Sequence, residues 1–428
     1  MKTTAQIAAA LQGYDPDALP ADQVQAFLAQ LAEPIQGSQT LALPEALGRV
    51  LAHDLISPLS VPAHDNSAMD GYAFRGALLQ ESQPLALPVA GTALAGQPWT
   101  DETPAHACVK IMTGAMLPVG LDTVVPHELM HTDAAGHIVI APGSVQAGAH
   151  VRRAGEDLMQ GGIALQKGEL ITSAALGLAA SLGLETLNVM RRLRVAYFST
   201  GDEILSLGQA PRAGAVYDSN RYTLCGMLQR LGAEVIDLGV VPDDPAQLQT
   251  AFVHAAQQAD AVITSGGVST GDADHTRTLM QTLGDVVFWR VAMRPGRPMA
   301  VGRIAGGAAG PSCTLFGLPG NPVAAMVTFL AFVRPALLRM MGARERQTPW
   351  LRARTTQAIR KRAGRTEYQR GIVTTGSDGM PEVRSTGEQG SGLLHSMVQA
   401  NGLIVLPHAQ ESVPPGEWVD VMLLDGVI

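Results

Sequence analysis

The sequence predicts a multidomain α/β protein with a central parallel-sheet α/β domain, a β-rich domain, a mixed helical and linker domain and a C-terminal β-barrel. Strand and helix patterns alternate regularly from Arg191 onward, which is typical of a parallel sheet with helices on both faces. Short alternating runs split by glycine and proline fill Pro84 to Ile140, and further short strand patterns follow Trp350. At 428 residues the chain is too long for one core.

These patterns divide the chain into four predicted domains. The first is interrupted by the second, and the other two follow in order along the chain. The predicted boundaries are 1–56 with 152–190 for the helical and linker domain, 57–151 for the β-rich domain, 191–343 for the α/β domain and 344–428 for the β-barrel.

Composition excludes several classes of protein. A formal net charge of -8 argues against a nucleic-acid or anionic-membrane partner, so an anionic substrate must be met by a local group of arginines. Cys108, Cys225 and Cys313 form no C-x-x-C pair, which predicts buried thiols of a cytosolic protein rather than disulfides or a zinc ribbon. No secretory signal opens the chain, and the most apolar helix pattern, Val323 to Val333, falls short of the roughly 20 residues of a membrane span. A soluble cytoplasmic protein is expected.

The helical and linker domain begins with two predicted helices. Val24, Phe27, Leu28 and Leu31 keep helical spacing. A second helix is predicted over Pro44 to Ala52, with Leu47, Val50 and Leu51 facing inward.

The β-rich domain contains a match to the zinc-peptidase pattern H-E-x-x-H at His127 and His131. That chemistry needs both histidines on one helical turn, but the flanking residues predict a strand, a turn and a returning strand. On a strand the two histidines would lie about 13 Å apart, too far to share one zinc ion. The sequence therefore argues against a metallopeptidase.

The α/β domain has five predicted strands: Arg194 to Ser199, Glu234 to Leu238, Ala261 to Thr264, Val286 to Met293 and Cys313 to Phe316. Asn220 is predicted to cap the helix after the first strand, and a final helix runs from Val323 to Met341. In open α/β sheets, ligands bind outside the carboxyl ends of the strands. Those ends carry Asp202 and Glu203, Asp243 and Asp244, Ser265 to Asp274, and Gly317 to Pro322.

The segment from Ser265 to Asp274 follows a strand buried on both faces and is rich in small residues. Gly266 and Gly267 remove side-chain bulk, so the backbone N–H groups can approach an oxyanion, and Asp272 or Asp274 can cap the next helix. The spacing matches neither a dinucleotide-binding fingerprint nor a P-loop. A site for phosphate, for a metal or for both is one interpretation, and a ligand-free turn is the other.

Several separated motifs together resemble the molybdopterin molybdenumtransferase family, the bacterial enzymes related to the E domain of gephyrin. The resemblance runs in order from about Leu43 to the end of the chain. Its motifs are Asp65 to Ala73, Ile111 to Gly114, Arg153 to Asp157, Phe198 to Glu203, Asp218 to Asn220, Ser265 to Ser269, Gly271 to Asp274 and Leu318 to Pro322.

This resemblance implies a homodimer of four-domain subunits with the active site completed by the second subunit. It also implies the reaction: adenylylated molybdopterin and molybdate give molybdenum cofactor and AMP in the presence of Mg²⁺. The molybdopterin adenylyltransferase is a possible partner by the same resemblance. The residues themselves indicate only phosphate and metal chemistry, whereas pterin and molybdate come from the family.

The resemblance also assigns roles to residues. Catalytic roles fall to Asp65, Thr113, Asp157, Glu203, Asp243 and Asp274, with Glu203 and Asp274 as metal ligands. Asp65, Thr113, Arg152 and Asp157 are expected to reach the site from the second subunit. Substrate contacts fall to Arg152, Ser265, Gly266, Gly267, Ser269, Arg290, Arg294, Arg297, Pro319, Pro322 and Ser391.

Two features depart from the family pattern. Arg290, Arg294 and Arg297 stand where many relatives have lysines, and His275 replaces a tyrosine. The arginines keep the positive charge but change the geometry of oxyanion contact. They are expected to bind molybdate, the alternative being charge on a solvated strand edge.

Two rival functions remain. One is a molybdopterin-binding scaffold without turnover, against which the acids Glu203 and Asp274 count. The other is pterin adenylylation, which a related but much smaller α/β protein performs, so the additional regions before Arg191 and after Met341 argue against it.

Overall fold

The structure is a computed structural model that describes residues 2–268, 274–305, 312–344 and 350–428, the side chains of 274–276 excepted. The chain divides into two compact units. The first consists of Met1–Gln39, Gly48–Ala52 and Asn188–Ile428, and the second of Thr40–Leu47 and His53–Leu187. The division into four domains stays a prediction.

The α-helices of the described residues are α1 (Thr4–Ala9), α2 (Ala21–Leu31), α3 (Ser173–Ser181), α4 (Ser219–Leu231), α5 (Pro245–Gln258), α6 (Asp274–Leu283), α7 (Pro322–Thr328), α8 (Arg334–Met340) and α9 (Leu394–Gln399). A π-helical turn, Phe329–Val333, joins α7 to α8. Short 3₁₀ turns lie at Leu43–Ala46, Gly76–Leu78 and His127–Leu129.

The strands before residue 193 are β1 (Ser38–Ala42), β2 (Leu55–Ile56), β3 (Asn66–Ser67), β4 (Gly71–Phe74), β5 (Leu85–Leu87), β6 (Val89–Ala93), β7 (Cys108–Ile111), β8 (Thr123–Pro126), β9 (Met130–Thr132), β10 (Ile138–Ile140), β11 (Val151–Arg152), β12 (Ile163–Leu165) and β13 (Thr186–Met190).

The later strands are β14 (Arg194–Thr200), β15 (Ile204–Leu205), β16 (Val216–Tyr217), β17 (Glu234–Val241), β18 (Ala261–Ser265), β19 (Gly284–Arg290), β20 (Met293–Arg294), β21 (Pro298–Ile304), β22 (Cys313–Leu318), β23 (Leu351–Thr355), β24 (Thr366–Thr375), β25 (Pro381–Ser385), β26 (Gly402–Leu406) and β27 (Trp418–Leu423).

The central sheet of the first unit has the strand order β17-β14-β18-β22-β21-β19. β14 pairs in parallel with β17 and β18, and β18 pairs in parallel with β22, as the sequence predicts. β21 is not predicted from the sequence, and it runs antiparallel to both of its neighbours. The physical reason is the short connection from β21 to β22, residues 305–312, which leaves no room for the crossover helix of a parallel pair. The predicted strand Val286 to Met293 ends instead at Arg290.

Alternate residues of β14 pack against opposite faces of this sheet. Val195 and Tyr197 belong to the core that includes Leu224 of α4 and Val323 of α7. Ala196 and Phe198 belong to a second core with Phe252 of α5. Because both faces are covered by helices, the middle residues of the central strands are continuously apolar, as expected for parallel strands.

One edge of the sheet, β17, is irregular. Its pairing with β14 shifts register between Tyr197 and Ser199, and Gly239 adopts a φ of 75°. The left-handed backbone at Gly239 is a conformation that side chains disfavour, so glycine is suited to this bulge.

The continuous helix from Pro322 to Met340 agrees with the predicted helix within one residue at each end. Its length and mean hydropathy of 1.6 meet the criteria for a membrane span, but 78% of its most apolar window is buried inside the protein. Phe329, Leu330 and Phe332 all lie in the core shared with β14 and α4. We therefore interpret it as the core helix of this unit.

A closed barrel of five strands ends the first unit. β23 pairs with β25 and β27, β24 pairs with β25 and β26, and β26 pairs with β27, which closes the ring. Val383, Ile404 and Val421 are among its buried core residues. The predicted β-barrel is confirmed, and β20 adds to it by pairing in parallel with β24.

The second unit is built from small sheets. A four-stranded sheet has the order β6-β7-β4-β8, and a three-stranded sheet has the order β5-β10-β9. The residues of the H-E-x-x-H match lie on a 3₁₀ turn and on β9, so the two histidines do not share a helix.

The predicted helix over Pro44 to Ala52 is wrong. Only the 3₁₀ turn Leu43–Ala46 forms, and Leu47 is 53% exposed instead of facing inward. Gly48 follows with a φ of 72°, a backbone conformation that ends a right-handed helix. Leu51 is extended and forms an antiparallel bridge with Val189.

Replacing Phe252 with alanine tests the packing of the central sheet. Phe252 is fully buried and meets Phe198 edge-to-face, with ring centroids 5.0 Å apart. We expect F252A to lower the free energy of unfolding by about 3–5 kcal/mol, because it leaves a cavity in the core. Urea unfolding followed by circular dichroism measures the change. V253A, at an exposed position on the same helix, is the control, and equal losses in both variants would contradict this packing.

Candidate functional site

A cavity of about 800 Å³ opens at the carboxyl ends of the central strands. Residues after β14, β17, β18 and β22 line one part of it, and residues of the β20–β21 turn and of the barrel line the rest. The lining residues are Thr200, Gly201, Glu203, Asp243, Gly266, Gly267, Val268, Met293, Arg294, Pro295, Gly296, Arg297, Pro298, Pro319, Gly320, Asn321, Ala324, Arg365, Gln389, Gly390 and Ser391. The cavity is thus composed of segments that are far apart in sequence.

The glycines after β18 allow two loops to approach each other closely. Gly266 and Gly267 have φ values of 98° and 66°, and a Cβ atom on Gly266 would lie 2.4 Å from the carbonyl oxygen of Thr200. The Gly266 N–H donates to the Leu318 carbonyl at 3.1 Å. Gly266 therefore provides close packing rather than a free donor, which corrects the expectation that its N–H faces phosphate. Gly267 lines the cavity beside it.

Asn220 connects the loop after β18 to the loop after β22. Its side-chain amide donates to Ser265 Oγ at 2.5 Å and to the Gly320 carbonyl at 2.7 Å. Asn220 is buried, and both acceptors belong to segments that flank the cavity. The sequence predicts Asn220 as a helix cap, but Asp218 is the cap and accepts from the Arg221 N–H.

A second polar network holds the acids at the ends of β14 and β17. Thr200 Oγ1 donates to Asp243 Oδ1, and the Asp243 N–H donates to Asp202 Oδ1 at 3.2 Å. A Cβ atom on Gly201 would lie 2.5 Å from Glu203 Oε2, so a side chain there would displace that carboxylate. Glu203 and Asp243 both line the cavity.

These two acids fit a magnesium ion. Mg²⁺ prefers oxygen ligands and usually takes one or two carboxylates together with substrate phosphates. No group of three or more metal-binding side chains occurs in the part of the chain that the structure describes. The donor set therefore suits an ion that substrate completes rather than a closed protein cage. Asp274 begins α6, but its side chain is outside the described residues.

The predicted arginines separate into two cavities. Arg294 and Arg297 line the large cavity together with Arg365, which is not among the residues predicted from the sequence. Arg290 lines an adjacent cavity of about 310 Å³ with Asp17, Gly267, Val268, Arg277, Phe288 and Trp289. Gly267 and Val268 contact both cavities, so the two lie side by side.

Arg370 supports the barrel side of the large cavity from below. It is fully buried, its Nε donates to Ser396 Oγ at 2.9 Å, and one Nη donates to the Gly390 carbonyl at 3.0 Å. Its other Nη has no hydrogen-bond partner within the described ranges. Burial, and then the nearby Arg294 charge, lower the pKa of Arg370 to about 10. Gly390 and Ser391 are thereby held in place at the cavity wall.

The four residues predicted to come from a second subunit lie in the second unit. Asp65 accepts from the Ala154 N–H at 2.8 Å and pairs with Arg153 at 2.7 Å. These two contacts, the backbone donor first, lower the pKa of Asp65. Thus Arg153 forms the salt bridge with Asp65, and the role of Arg152 in binding substrate stays a prediction. Arg152 lies exposed on β11 opposite Asn66.

Thr113 and Asp157 also belong to the second unit. The backbone N–H and the hydroxyl of Thr113 donate to Asp70 Oδ1 at 2.7 and 2.8 Å, which lowers the pKa of Asp70. The Asp157 N–H donates to the Val61 carbonyl at 3.1 Å, and its side chain is exposed. Hydrogen bonds to the backbone thus fix the loops that carry Asp65, Thr113 and Asp157.

The other predicted contacts are placed as follows. Pro319 and Ser391 line the large cavity, whereas Pro322 is the first residue of α7 and is not among its lining residues. Ser265 is buried behind Gly266, and Ser269 lies outside the described residues. Arg365 and Arg370, two arginines of the site that are not predicted from the sequence, come from the barrel. No local sequence pattern distinguishes them from the other charged residues of that region.

Family models match successive parts of the chain. The MoeA N-terminal region (domain I and II) matches residues 19–183, a probable molybdopterin binding domain matches residues 196–339, and the MoeA C-terminal region (domain IV) matches residues 352–424. Together these matches cover most of the sequence.

Individual proteins are similar over almost the whole chain. A molybdopterin molybdenumtransferase of Haemophilus influenzae is 41% identical over 396 residues, covering 92% of this chain and 96% of the relative. Molybdopterin molybdenumtransferase 2 of Mycobacterium tuberculosis is 37% identical, with 89% and 94% covered. The crystal structure of a molybdopterin biosynthesis protein from Pyrococcus horikoshii superposes with a TM-score of 0.80 at 25% identity, covering 95% of this chain and 100% of that one.

Replacing Asn220 with alanine tests the connection between the two loops. We expect N220A to lower the free energy of unfolding by about 1–3 kcal/mol, because Ser265 Oγ and the Gly320 carbonyl lose a buried donor. Amide hydrogen exchange at Gly266 to Val268 should also become faster. S219A, on the preceding residue, is the control. Unchanged exchange in N220A would show that the amide does not hold the loops.

Replacing Arg153 with alanine tests the environment of Asp65. We expect R153A to raise the pKa of Asp65 only partly, because the Ala154 N–H, the larger cause of its lowering, remains. Since a lowered pKa stabilises the folded state above the pKa of the unfolded chain, that stabilisation should be lost at a higher pH in R153A than in the wild type. NMR titration of labelled aspartate carboxyls measures both effects. R152A should leave Asp65 unchanged, and an equal shift in R152A would reverse the assignment.

Proposed function

The chain belongs to the molybdopterin molybdenumtransferase family, and we propose that it inserts molybdenum from molybdate into adenylylated molybdopterin, releasing AMP and molybdenum cofactor. The observation that carries this proposal is the composition of the large cavity. It combines two carboxylates, a glycine loop and three guanidinium groups in one space of about 800 Å³. These are the groups that a phosphoanhydride and a molybdate dianion require.

The guanidinium groups of Arg294, Arg297 and Arg365 bind the anionic substrates. A planar guanidinium matches two oxygens of a tetrahedral oxyanion at once, which fixes its orientation as well as its position. Gly267, without a side chain, lets substrate approach the backbone closely. Pro319, Gly320 and Ser391 line the same cavity. Molybdate and the diphosphate are thereby held within one cavity.

The carboxylates of Glu203 and Asp243 would hold the magnesium ion, and the family resemblance adds Asp274 to them. Magnesium, when bound, supplies positive charge at the phosphoanhydride oxygens. Thr200 donates to Asp243 and Gly201 leaves room for the Glu203 carboxylate, so both acids are oriented before substrate arrives. Such preorganisation lowers the barrier because little rearrangement accompanies the reaction.

We further propose that the protein acts as a cytoplasmic homodimer, in which Asp65, Thr113, Arg152 and Asp157 of one subunit complete the site of the other. The resemblance to the family is the source of this proposal. Contacts from the Ala154 N–H and from Arg153 orient the Asp65 carboxylate, as a role in the site requires. Arg153 is a further candidate from the same loop. A molybdopterin adenylyltransferase is the proposed protein partner, while nucleic acid and membranes are not expected partners of a chain with net charge -8.

Reconstitution tests the proposed reaction. Purified protein mixed with adenylylated molybdopterin, molybdate and Mg²⁺ should release AMP and yield cofactor that activates an apo-molybdoenzyme. Chromatography measures AMP, and the activated enzyme reports the cofactor. Pterin binding without AMP would instead identify a scaffold, and ATP consumption would identify an adenylyltransferase.

Replacing Glu203 with glutamine tests the metal site. A neutral amide holds Mg²⁺ poorly, so E203Q should need on the order of tenfold or more Mg²⁺ for half-maximal AMP release. Pterin binding should change much less. E234Q, at the opposite end of the sheet on β17, is the matched control. An unchanged Mg²⁺ dependence in E203Q would remove Glu203 from the metal site.

A further inference from the structure

Residues 14–19, which we call the N-terminal strap, lie beside the carboxyl end of β19, the last strand of the central sheet. The match to the family begins only at residue 19, so no role follows for this segment from the family models. The Arg290 N–H donates to the Pro16 carbonyl at 2.7 Å, and the Leu19 N–H donates to the Arg290 carbonyl at 3.2 Å. Both backbone polar groups of Arg290 are therefore bonded to the strap.

Further contacts fix the strap at both ends. Trp289 Nε1 donates to the hydroxyl of Tyr14 at 2.8 Å, and Tyr14 stacks on Phe27 with ring centroids 6.3 Å apart. Leu19 is fully buried, and its carbonyl accepts from the Ala292 N–H at 2.8 Å. The strap is thus a built element of the first unit rather than a loose terminus.

The strap contacts the chain where β19 ends and the turn that carries the arginines begins. β19 ends at Arg290, and residues 290–297, which we call the arginine turn, then carry Arg294 and Arg297 into the large cavity. The Val291 N–H donates to the Arg297 carbonyl at 2.7 Å and closes this turn. Strap contacts at Arg290 and Ala292 lie on either side of that bond. A shift of the strap would therefore move the base of the turn.

A charged residue of the strap also lies close to the arginines. Asp17 lies with Arg277 and Arg290 around the smaller cavity. Arg277 lies over the ring of Phe288 at 4.9 Å, and neither arginine forms a salt bridge within the described ranges. The smaller cavity therefore brings one acid of the strap together with two guanidinium groups.

We propose that the N-terminal strap positions the arginine turn for binding of a tetrahedral oxyanion substrate. The proposal rests on the proposed function, in which that oxyanion is molybdate. Its physical basis is preorganisation. Ordering a guanidinium side chain on binding costs conformational entropy and weakens affinity. When the base of the arginine turn is already fixed, part of this entropy has been lost before the anion binds. A strap that only sealed the sheet edge would affect stability but not anion affinity.

The test displaces the strap without removing any side chain. Two glycines inserted between the exposed residues Asp17 and Ala18 shift the register, so that Pro16 and Leu19 can no longer both bond Arg290. The control carries the same insertion between Gln12 and Gly13, upstream of the strap. Isothermal titration of each full-length protein with molybdate alone gives the dissociation constant, and thermal unfolding gives the melting temperature.

We expect the strap insertion to weaken molybdate binding about tenfold, which corresponds to about 1.4 kcal/mol. The KM for molybdate should rise in parallel, while the KM for adenylylated molybdopterin stays near that of the control. The melting temperature establishes that the variant is folded at the temperature of the titration. Molybdate affinity within twofold of the control would overturn the proposal. So would a wild-type protein that binds no molybdate.

If the insertion unfolds the protein, a milder variant tests the same proposal. Y14F removes only the hydrogen bond to Trp289 and should weaken molybdate binding about two- to fivefold, whereas unchanged affinity in Y14F would overturn the proposal. Failure of the proposed function is distinguishable. Suppose that molybdate binding depends on the strap but the wild-type protein releases no AMP. That result would refute the proposed reaction and would still support the proposed role of the strap.

Discussion

Burial of the central sheet on both faces is the constraint on which the rest of the structure depends. Helices cover both faces, so alternate residues such as Tyr197 and Phe198 both enter apolar cores. Polar chemistry is therefore confined to the strand ends, where backbone and side chains leave the apolar layer. The acids, the glycine loop and Asn220 are all found there, and the cavity forms because four strands end at the same edge.

Charge within this acidic chain is distributed locally rather than uniformly. The net charge of -8 disfavours anions over most of the surface, yet Arg294, Arg297 and Arg365 meet in one cavity whose metal-side acids are Glu203 and Asp243. A magnesium ion at those acids would make the whole cavity favourable for anions. The buried Arg370, whose pKa is lowered by burial and by Arg294, adds to the positive potential from beneath the wall.

Much of this organisation could be predicted from the sequence. The order of strands and helices, the parallel pairing of β14, β17, β18 and β22, and the barrel follow from periodicity and turn residues, which are local signals. Two differences between the prediction and the structure have different physical reasons. Gly48 ends a predicted helix by adopting left-handed backbone, and Pro298 and Gly302 obscure the strand pattern of β21.

Fewer residues of the candidate site could be predicted from the sequence. Acids at strand ends could be selected because topology brings strand ends together. Arg365 and Arg370 come from the barrel, and which barrel residues meet the α/β sheet depends on tertiary packing that no local pattern records. Likewise, only side-chain geometry distinguishes Arg153, which binds Asp65, from the adjacent Arg152.

The N-terminal strap has a consequence for how this protein behaves in crowded solution. An open sheet edge presents unpaired N–H and C=O groups that can recruit a strand from another molecule and begin aggregation. At one edge the bulge at Gly239 interrupts the regular pairing surface of β17. At the other edge the strap occupies the backbone groups at the end of β19. A shortened chain that lacked the residues before Leu19 would lose the fully buried Ile7 from the core and would also expose those backbone groups to a strand from another molecule.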